Sequence, residues 1–249
     1  MSGREKNILY LERLKIGSFN CQGIHNKIED LIFQREMRQH DIFAVNETWL
    51  SNDSDICIEG YKFFPVCRKK ELGKIKGGIG WFIREDLRKW VKILYNISDE
   101  NFLWCKLDKT FFNFSEDVYI CSVYIPPENS SREKRLGKDH FKTLTENIIK
   151  IKSENIILIG DFNARTRLYE DIIESEKNVD DYIPESLSSC VKLKRSNQDK
   201  KGNKYGKKLT NLCIKSNLYI ANGRTLGDLQ GKYTCYERNG ASSCELCYY

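Results

Sequence analysis

Short apolar runs of strand length alternate along this chain with stretches in which apolar side chains recur every third or fourth residue. The first pattern fits strands buried on both faces, and the second fits amphipathic helices. Leu14 to Phe19 reads as a strand, followed by a helix from about Lys27 to Gln39 with a partial stripe of Ile28, Leu31 and Ile32. Ile42 to Val45, Gly78 to Ile83, Leu103 to Leu107 and Val118 to Tyr124 read as further strands. Phe141, Leu144, Ile148 and Ile151, spaced 3, 4 and 3 apart, predict a helix. Asn155 to Ile159 predicts a buried strand, Leu209, Leu212 and Cys213 a helix, and Tyr219 to Ala221 and Lys232 to Tyr236 two more strands. Residues 165 to 205 are the least regular and are expected to hold a long, polar, mobile loop. Helices alternate with strands, yet hairpin-like neighbours also occur, so the pattern predicts an α/β domain with mixed sheets.

Composition narrows this picture only a little. With 249 residues and 40% hydrophobic side chains, the chain can bury a sizeable core. The formal charge of +6 favours an anionic partner such as nucleic acid, and it suits an ordinary basic surface equally well. No stretch approaches the roughly 20 apolar residues of a spanning helix. Met1 to Arg13 has the pattern of neither a secretory signal nor a transit peptide. A soluble intracellular protein with no membrane contact is expected. The ten cysteines are scattered and several fall inside apolar runs, which reads as buried reduced thiols. Cys244 and Cys247 form a CxxC, but no second pair stands at zinc-site spacing. Nothing in the chain points to an obligatory protein partner.

Four strands end abruptly in polar groups able to bind metal or phosphate. Phe19 gives way to Asn20, Val45 to Asn46 and Glu47, Val123 to Tyr124, and Ile159-Gly160 to Asp161, Phe162 and Asn163. Strands lying side by side would bring those ends into one cleft. Glu47 and Asp161 are hard oxygen donors, and with asparagine and water they suit magnesium rather than zinc. Each residue also has a plainer explanation: a solvated loop acid for Glu47, a turn for Asn20, a helix cap for Asp161 and Asn163. It is the set, in order, that argues for chemistry.

The same residues carry a family resemblance. Ser18-Phe19-Asn20-Cys21-Gln22-Gly23, Asn46-Glu47-Thr48-Trp49-Leu50, Val123-Tyr124-Ile125-Pro126-Pro127 and Gly160-Asp161-Phe162-Asn163-Ala164-Arg165 resemble successive motifs of the endonuclease/exonuclease/phosphatase superfamily. The GDFNAR and NETWL variants, with the later Asn222-Gly223-Arg224 and Gly231 to Cys235 runs, are most similar to endonuclease domains of non-LTR retrotransposons. The resemblance covers about residues 12 to 243. It implies a four-layer sandwich, two mixed sheets flanked by helices, formed as a single domain over residues 12–249 after an N-terminal extension at 1–11. It implies that Asn20 and Glu47 hold Mg2+, for which Mn2+ can substitute. Asp161 would align or activate the attacking water, Asn163 and Tyr124 would hold the scissile phosphate, and Thr234 would touch phosphate as well.

Two departures bear on function. Gln22 stands where repair-type members carry an acid, as is common in the retrotransposon branch. The family pattern also places a Ser-Val-Ile-Asp-Tyr-like strand after residue 240 and then a final Ser-Asp-His. This chain reads Ser242-Ser243-Cys244-Glu245-Leu246-Cys247-Tyr248-Tyr249. The last strands and the catalytic histidine are therefore expected to be missing. His25, His40 and His140 match no family position. Positioned acid–base groups commonly supply roughly 10²–10⁴-fold, so such a chain should bind better than it cuts.

Lys200, Lys201, Lys204, Lys207 and Lys208, together with Arg165, read as contacts to a nucleic-acid backbone or as plain solvation. Three functions follow. The first is a magnesium-dependent DNA endonuclease domain of a non-LTR retrotransposon-like element, C-terminally truncated. The second is a catalytically inactive nucleic-acid-binding remnant. The third is a phosphatase or phospholipid phosphodiesterase of the same fold.

Overall fold

The computed structural model describes residues 14–51, 56–68, 76–172, 194–237, 240–242 and 247–248. The chain divides into two compact units, Met1–Tyr124 with Ser153–Gly160, and Ile125–Lys152 with Asp161–Tyr249.

The first unit holds two mixed four-stranded sheets. One is built from β1 (Ile16–Asn20), β2 (Ile42–Asn46), β3 (Tyr61–Val66) and β4 (Ile79–Arg84), in the order β1-β2-β4-β3. β1 and β2 run parallel, with Asn20 opposite Asn46, while β4 runs antiparallel to both β2 and β3. The other runs β5 (Val91–Ile93), β6 (Phe102–Leu107), β7 (Val118–Tyr124), β8 (Ile156–Asp161). β5, β6 and β7 are antiparallel. Bonds from the Tyr119 N–H to the Asn155 carbonyl and from the Ile125 N–H to the Asp161 carbonyl show that β8 lies parallel to β7. Continuous apolar runs make β2, β4 and β6 nearly inaccessible along their length. That is the burial expected of strands covered on both faces.

Short helices α1 (His25–Ile28) and α2 (Leu31–Met37) connect β1 to β2. The expected continuous helix over 27–39 is thus divided. Asp30 turns its carboxylate back onto the Ile32 and Phe33 N–H groups, a helix cap that starts α2 afresh. Phe33 and Met37 pack with Ile24, Phe43, Val45 and Phe82 into one apolar cluster. A one-turn helix α3 (Lys109–Phe112), capped by Asp108, links β6 to β7.

In the second unit, α4 (Ser131–Leu136), α5 (His140–Ile151) and α6 (Lys204–Ser216) are joined by β9 (Tyr219–Ile220), β10 (Cys235–Glu237), β11 (Gly240–Ser242) and β12 (Cys247–Tyr248). β10 pairs with β11 and β9 with β12, all antiparallel. Phe141 and Tyr205 meet edge to face at 5.4 Å and join α5 to α6. Residues 165–172 and 194–203 contain no helix or strand, as the sequence suggests, but they are pinned. Arg165 pairs with Asp199, the Arg195 Nη2 donates to the Arg167 carbonyl at 3.0 Å, and Thr166 bridges to Gly202. Residues 173–193 of the expected loop lie outside the described residues.

The described cysteines are free thiols, and Cys21, Cys105, Cys121 and Cys213 are buried as expected, whereas Cys57 is exposed. Cys244 and the Cys247 side chain lie outside the described residues. Among the described residues no helix is long and apolar enough to cross a membrane.

Candidate active site

Parallel pairing of β1 with β2 places the loops after both strands side by side. Those loops are then zipped together: Cys21, Gly23 and Ile24 N–H groups bond the carbonyls of Asn46, Glu47 and Thr48 at 2.9, 2.8 and 3.0 Å. On the other side the Thr48 and Trp49 N–H groups reach the Gly78 and Gly77 carbonyls at 3.2 and 2.8 Å. Clamped from both sides, Glu47 and Trp49 adopt left-handed backbones, each with φ 53. For residues other than glycine this costs about 1–2 kcal/mol apiece, and such strain gathers at functional sites. Its product is a fixed carboxylate. The Asn20 Nδ2 donates to Glu47 Oε1 at 2.9 Å and the Trp49 Nε1 to Glu47 Oε2 at 3.3 Å.

This donor set fits a hard divalent cation. It offers one carboxylate and the Asn20 amide oxygen, which accepts from the Gln22 N–H at 3.2 Å. The neighbouring Cys21 thiol is pushed up to about 12, chiefly by burial, and stays protonated. It is therefore no thiolate for a soft metal. Among the described residues no three His, Cys, Asp or Glu side chains gather into a cage. A cation held here would complete its shell with water and substrate oxygens, as magnesium does.

One strand-end group, Asn46, differs from expectation. Asn46 is fully buried and faces no ligand: its Nδ2 donates to Ser122 Oγ at 3.3 Å and to the Val123 carbonyl at 3.1 Å, tying β2 to β7. Tyr124 ends β7, but it is 6% exposed, its backbone exchanges bonds with Asn101, and the Arg68 guanidinium lies 5.8 Å from its ring centre. Arg68 is itself buried, paired with Glu100 at 3.5 Å and bonded to the Lys76 carbonyl.

In the second unit, Asp161 and Asn163 are brought together. Asp161 Oδ1 accepts the Asn163 N–H at 2.9 Å, and Asn163 takes a left-handed backbone with φ 49. Among the described residues 162–172 no helix follows, so these residues do not cap one there; the turn serves itself. The Asn163 Nδ2 donates to the Ile125 carbonyl at 2.9 Å, and Asn203, the cap of α6, donates to the Asn163 carbonyl and accepts the Arg165 N–H. The GDFNAR segment is thus bolted to the first turn of α6.

Arg165 directs Nε and Nη2 at Asp199 at 2.8 and 2.7 Å, so a backbone phosphate would compete with a carboxylate for it. Lys200, Lys201, Lys204 and Lys207 are exposed, the last two on α6 rather than in a loop. Lys208 is half-buried and bonded to Asp139 at 2.8 Å. Thr234 is exposed, with its N–H on the Ser242 carbonyl. His140 is buried, and the His40 Nδ1 meets the Glu36 carbonyl at 3.0 Å, both in structural settings. Sequence reading overlooked Trp49, Asp199 and Asn203. Only Trp49 carried a signal, by standing two residues after Glu47 in the NETWL motif.

A profile of the Endonuclease/Exonuclease/phosphatase family matches residues 17–183, more than half of the chain. The probable RNA-directed DNA polymerase from transposon BS of Drosophila melanogaster is 25% identical over 175 residues, which are 70% of this chain. The match spans only 18% of that protein's length. The endonuclease domain of TRAS1, a telomere-specific non-LTR retrotransposon, superposes with a TM-score of 0.59 at 13% identity, covering 95% of this chain and 84% of that one. The 3′ phosphatase NExo from Neisseria, solved bound to a product DNA hairpin, gives 0.59 at 14% identity, covering 95% and 86%. At such identities the two structures demonstrate a shared fold.

Proposed function

The chain belongs to the Endonuclease/Exonuclease/phosphatase family, and from that premise we propose that it is a magnesium-dependent phosphodiester hydrolase acting on DNA, an endonuclease domain of a non-LTR retrotransposon-like element. One observation carries the reading: Glu47 is held on a strained backbone with its carboxylate fixed by the Asn20 amide at 2.9 Å. A solvated loop acid would need neither the strain nor the clamp. The endonuclease domain of TRAS1 and the transposon relative support the retroelement origin, and the DNA-bound phosphatase supports a nucleic-acid substrate.

In this reading Asn20 and Glu47 hold the cation. When bound, the cation supplies charge neutralisation to the phosphate and to the leaving oxygen. The Asp161 carboxylate orients the attacking water and takes its proton. An asparagine amide has two N–H bonds; Asn163 gives one to the Ile125 carbonyl and directs the other to a phosphate oxygen. Tyr124 donates its phenol to the same phosphate. Thr234 and Arg165 contact the flanking backbone together with Lys200, Lys201, Lys204, Lys207 and Lys208, without regard to base sequence.

The test is an end-labelled duplex carrying a 3′-phosphate, incubated with Mg2+ or with chelator. Internal cleavage that needs the metal, and is lost in Glu47→Gln, is the expected result. Release of inorganic phosphate alone would move the activity to the phosphatase class. Cleavage of equal rate with chelator or in Glu47→Gln would remove the metal from the account.

A further inference from the structure

Trp49 has no place in the chemistry proposed above, yet it touches the residue that chemistry depends on. Its indole Nε1 lies 3.3 Å from Glu47 Oε2, on the carboxylate oxygen that Asn20 does not bond. Trp49 is 36% exposed although its ring is large and apolar, and its backbone is left-handed. It is seated on the Gly23 backbone, where an added Cβ would stand 2.9 Å from Trp49 Cε3. Gly23, with φ 103, therefore keeps open the shelf on which the indole lies. The Trp49 N–H to the Gly77 carbonyl, at 2.8 Å, closes the arrangement from the far side.

We propose that Trp49 is a positioning residue for the divalent cation, acting through the orientation of the Glu47 carboxylate; the inference rests on the metal reading of Asn20 and Glu47. With one N–H donor on each oxygen, rotation of the carboxylate about its last torsion is stopped in both directions. Both donors are neutral, an amide and an indole, so the carboxylate keeps its full charge for the cation. A lysine or arginine in either place would fix the geometry but offset that charge. Outer partners that orient a ligand commonly contribute 10–100-fold to metal affinity. A purely packing role for the indole predicts something different, because phenylalanine would fill the same shelf on Gly23.

The experiment has two arms. Free Mn2+ is counted by electron paramagnetic resonance during titration of wild type, Glu47→Gln and Trp49→Phe. Wild type should bind, Glu47→Gln should not, and Trp49→Phe should bind about 10-fold more weakly. The second arm uses wild type labelled with 5-fluorotryptophan and titrated with Mg2+ by 19F resonance. Trp81 and Trp104 are fully buried, and Trp90 is exposed but stacked on Phe111 at 4.7 Å. A Trp90→Phe variant therefore leaves the Trp49 signal as the one that a soluble paramagnetic probe broadens. That signal should shift with Mg2+ along the binding curve, and the Trp90 signal should stay put. Loss of binding in Glu47→Gln with unchanged binding in Trp49→Phe would overturn the positioning role and leave the metal reading standing. A Trp49 signal that ignores bound Mg2+ would do the same even if Trp49→Phe failed to fold. Wild type that binds no Mn2+ would overturn both.

Discussion

Replacing Gly160 by alanine strikes the backbone that leads directly into Asp161. Gly160 has φ 138, which an L side chain tolerates poorly, and its missing Cβ faces the backbone of β7. An alanine methyl would overlap the Val123 carbonyl oxygen and lie 2.9 Å from Val123 N and 3.0 Å from Val123 C. None of these atoms is the far end of a flexible side chain; all belong to a strand that is buried and paired on its other edge with β6. The forced φ costs about 1–3 kcal/mol. Separating two strands to admit a methyl costs about 1–3 kcal/mol more. A total near 4 kcal/mol lowers the midpoint of thermal unfolding by roughly 8–16 °C for a chain of this size. Gly60 supplies the control, since it has φ 84 but nothing within 4 Å of an added Cβ. Gly60→Ala therefore carries the strain without the collision and should shift the midpoint by about half as much. Calorimetric melts of the two variants beside wild type decide the matter. If Gly160→Ala melts with Gly60→Ala, the close approach of β7 and β8 is not what requires glycine in the GDFN motif.

Asp171 and Arg224 form a buried ion pair with bonds of 2.8 and 2.9 Å, and Asp171 also accepts the Ile220 N–H at 2.7 Å. Asp171→Asn should cost about 3–5 kcal/mol in urea unfolding, because it takes the carboxylate charge away from a buried guanidinium; an equal midpoint would refute the pairing. For DNA binding, neutralising Lys200, Lys201, Lys204 and Lys207 should flatten the plot of log affinity against log salt by about 0.9 for each phosphate left without its cation. Lys208→Gln, already paired with Asp139, should change the slope less, and an isotherm indifferent to salt would assign the whole cluster to solvation. Among the described cysteines, iodoacetamide at pH 8 should label Cys57 first and leave Cys21 untouched in the native state, since burial pushes the Cys21 thiol up to about 12. Peptide mapping that finds Cys21 labelled before Cys57 would contradict that burial.

Strands buried on both faces were legible in the sequence because burial imposes continuous apolar runs, as in β2, β6 and β7. β3 escaped notice because among the described strands it is an edge, paired with β4 alone, and it carries Lys62 and Pro65. β5 is a three-residue edge strand beside β6, too short to show a period. The strand expected from Lys232 begins only at Cys235. Local motifs singled out Asn20, Glu47, Asp161 and Asn163 as candidates. Asn46 looked like one more ligand because a sequence does not show which way an asparagine at a strand end turns. The pairs Arg68–Tyr124 and Arg165–Asp199 are set by folding across long stretches of chain, and neither residue of a pair announces the other.

The central claim is that this chain hydrolyses phosphodiesters of DNA, with Glu47 holding a metal and Asp161 handling a water. Its most direct test is the rate at which the purified chain nicks supercoiled plasmid in Mg2+, measured beside Glu47→Gln and Asp161→Ala at equal protein concentration. The account predicts open circles that accumulate with wild type, stop on chelation and fall to background in both variants. Nicking by Asp161→Ala at the wild-type rate, or nicking that survives chelation, would contradict it.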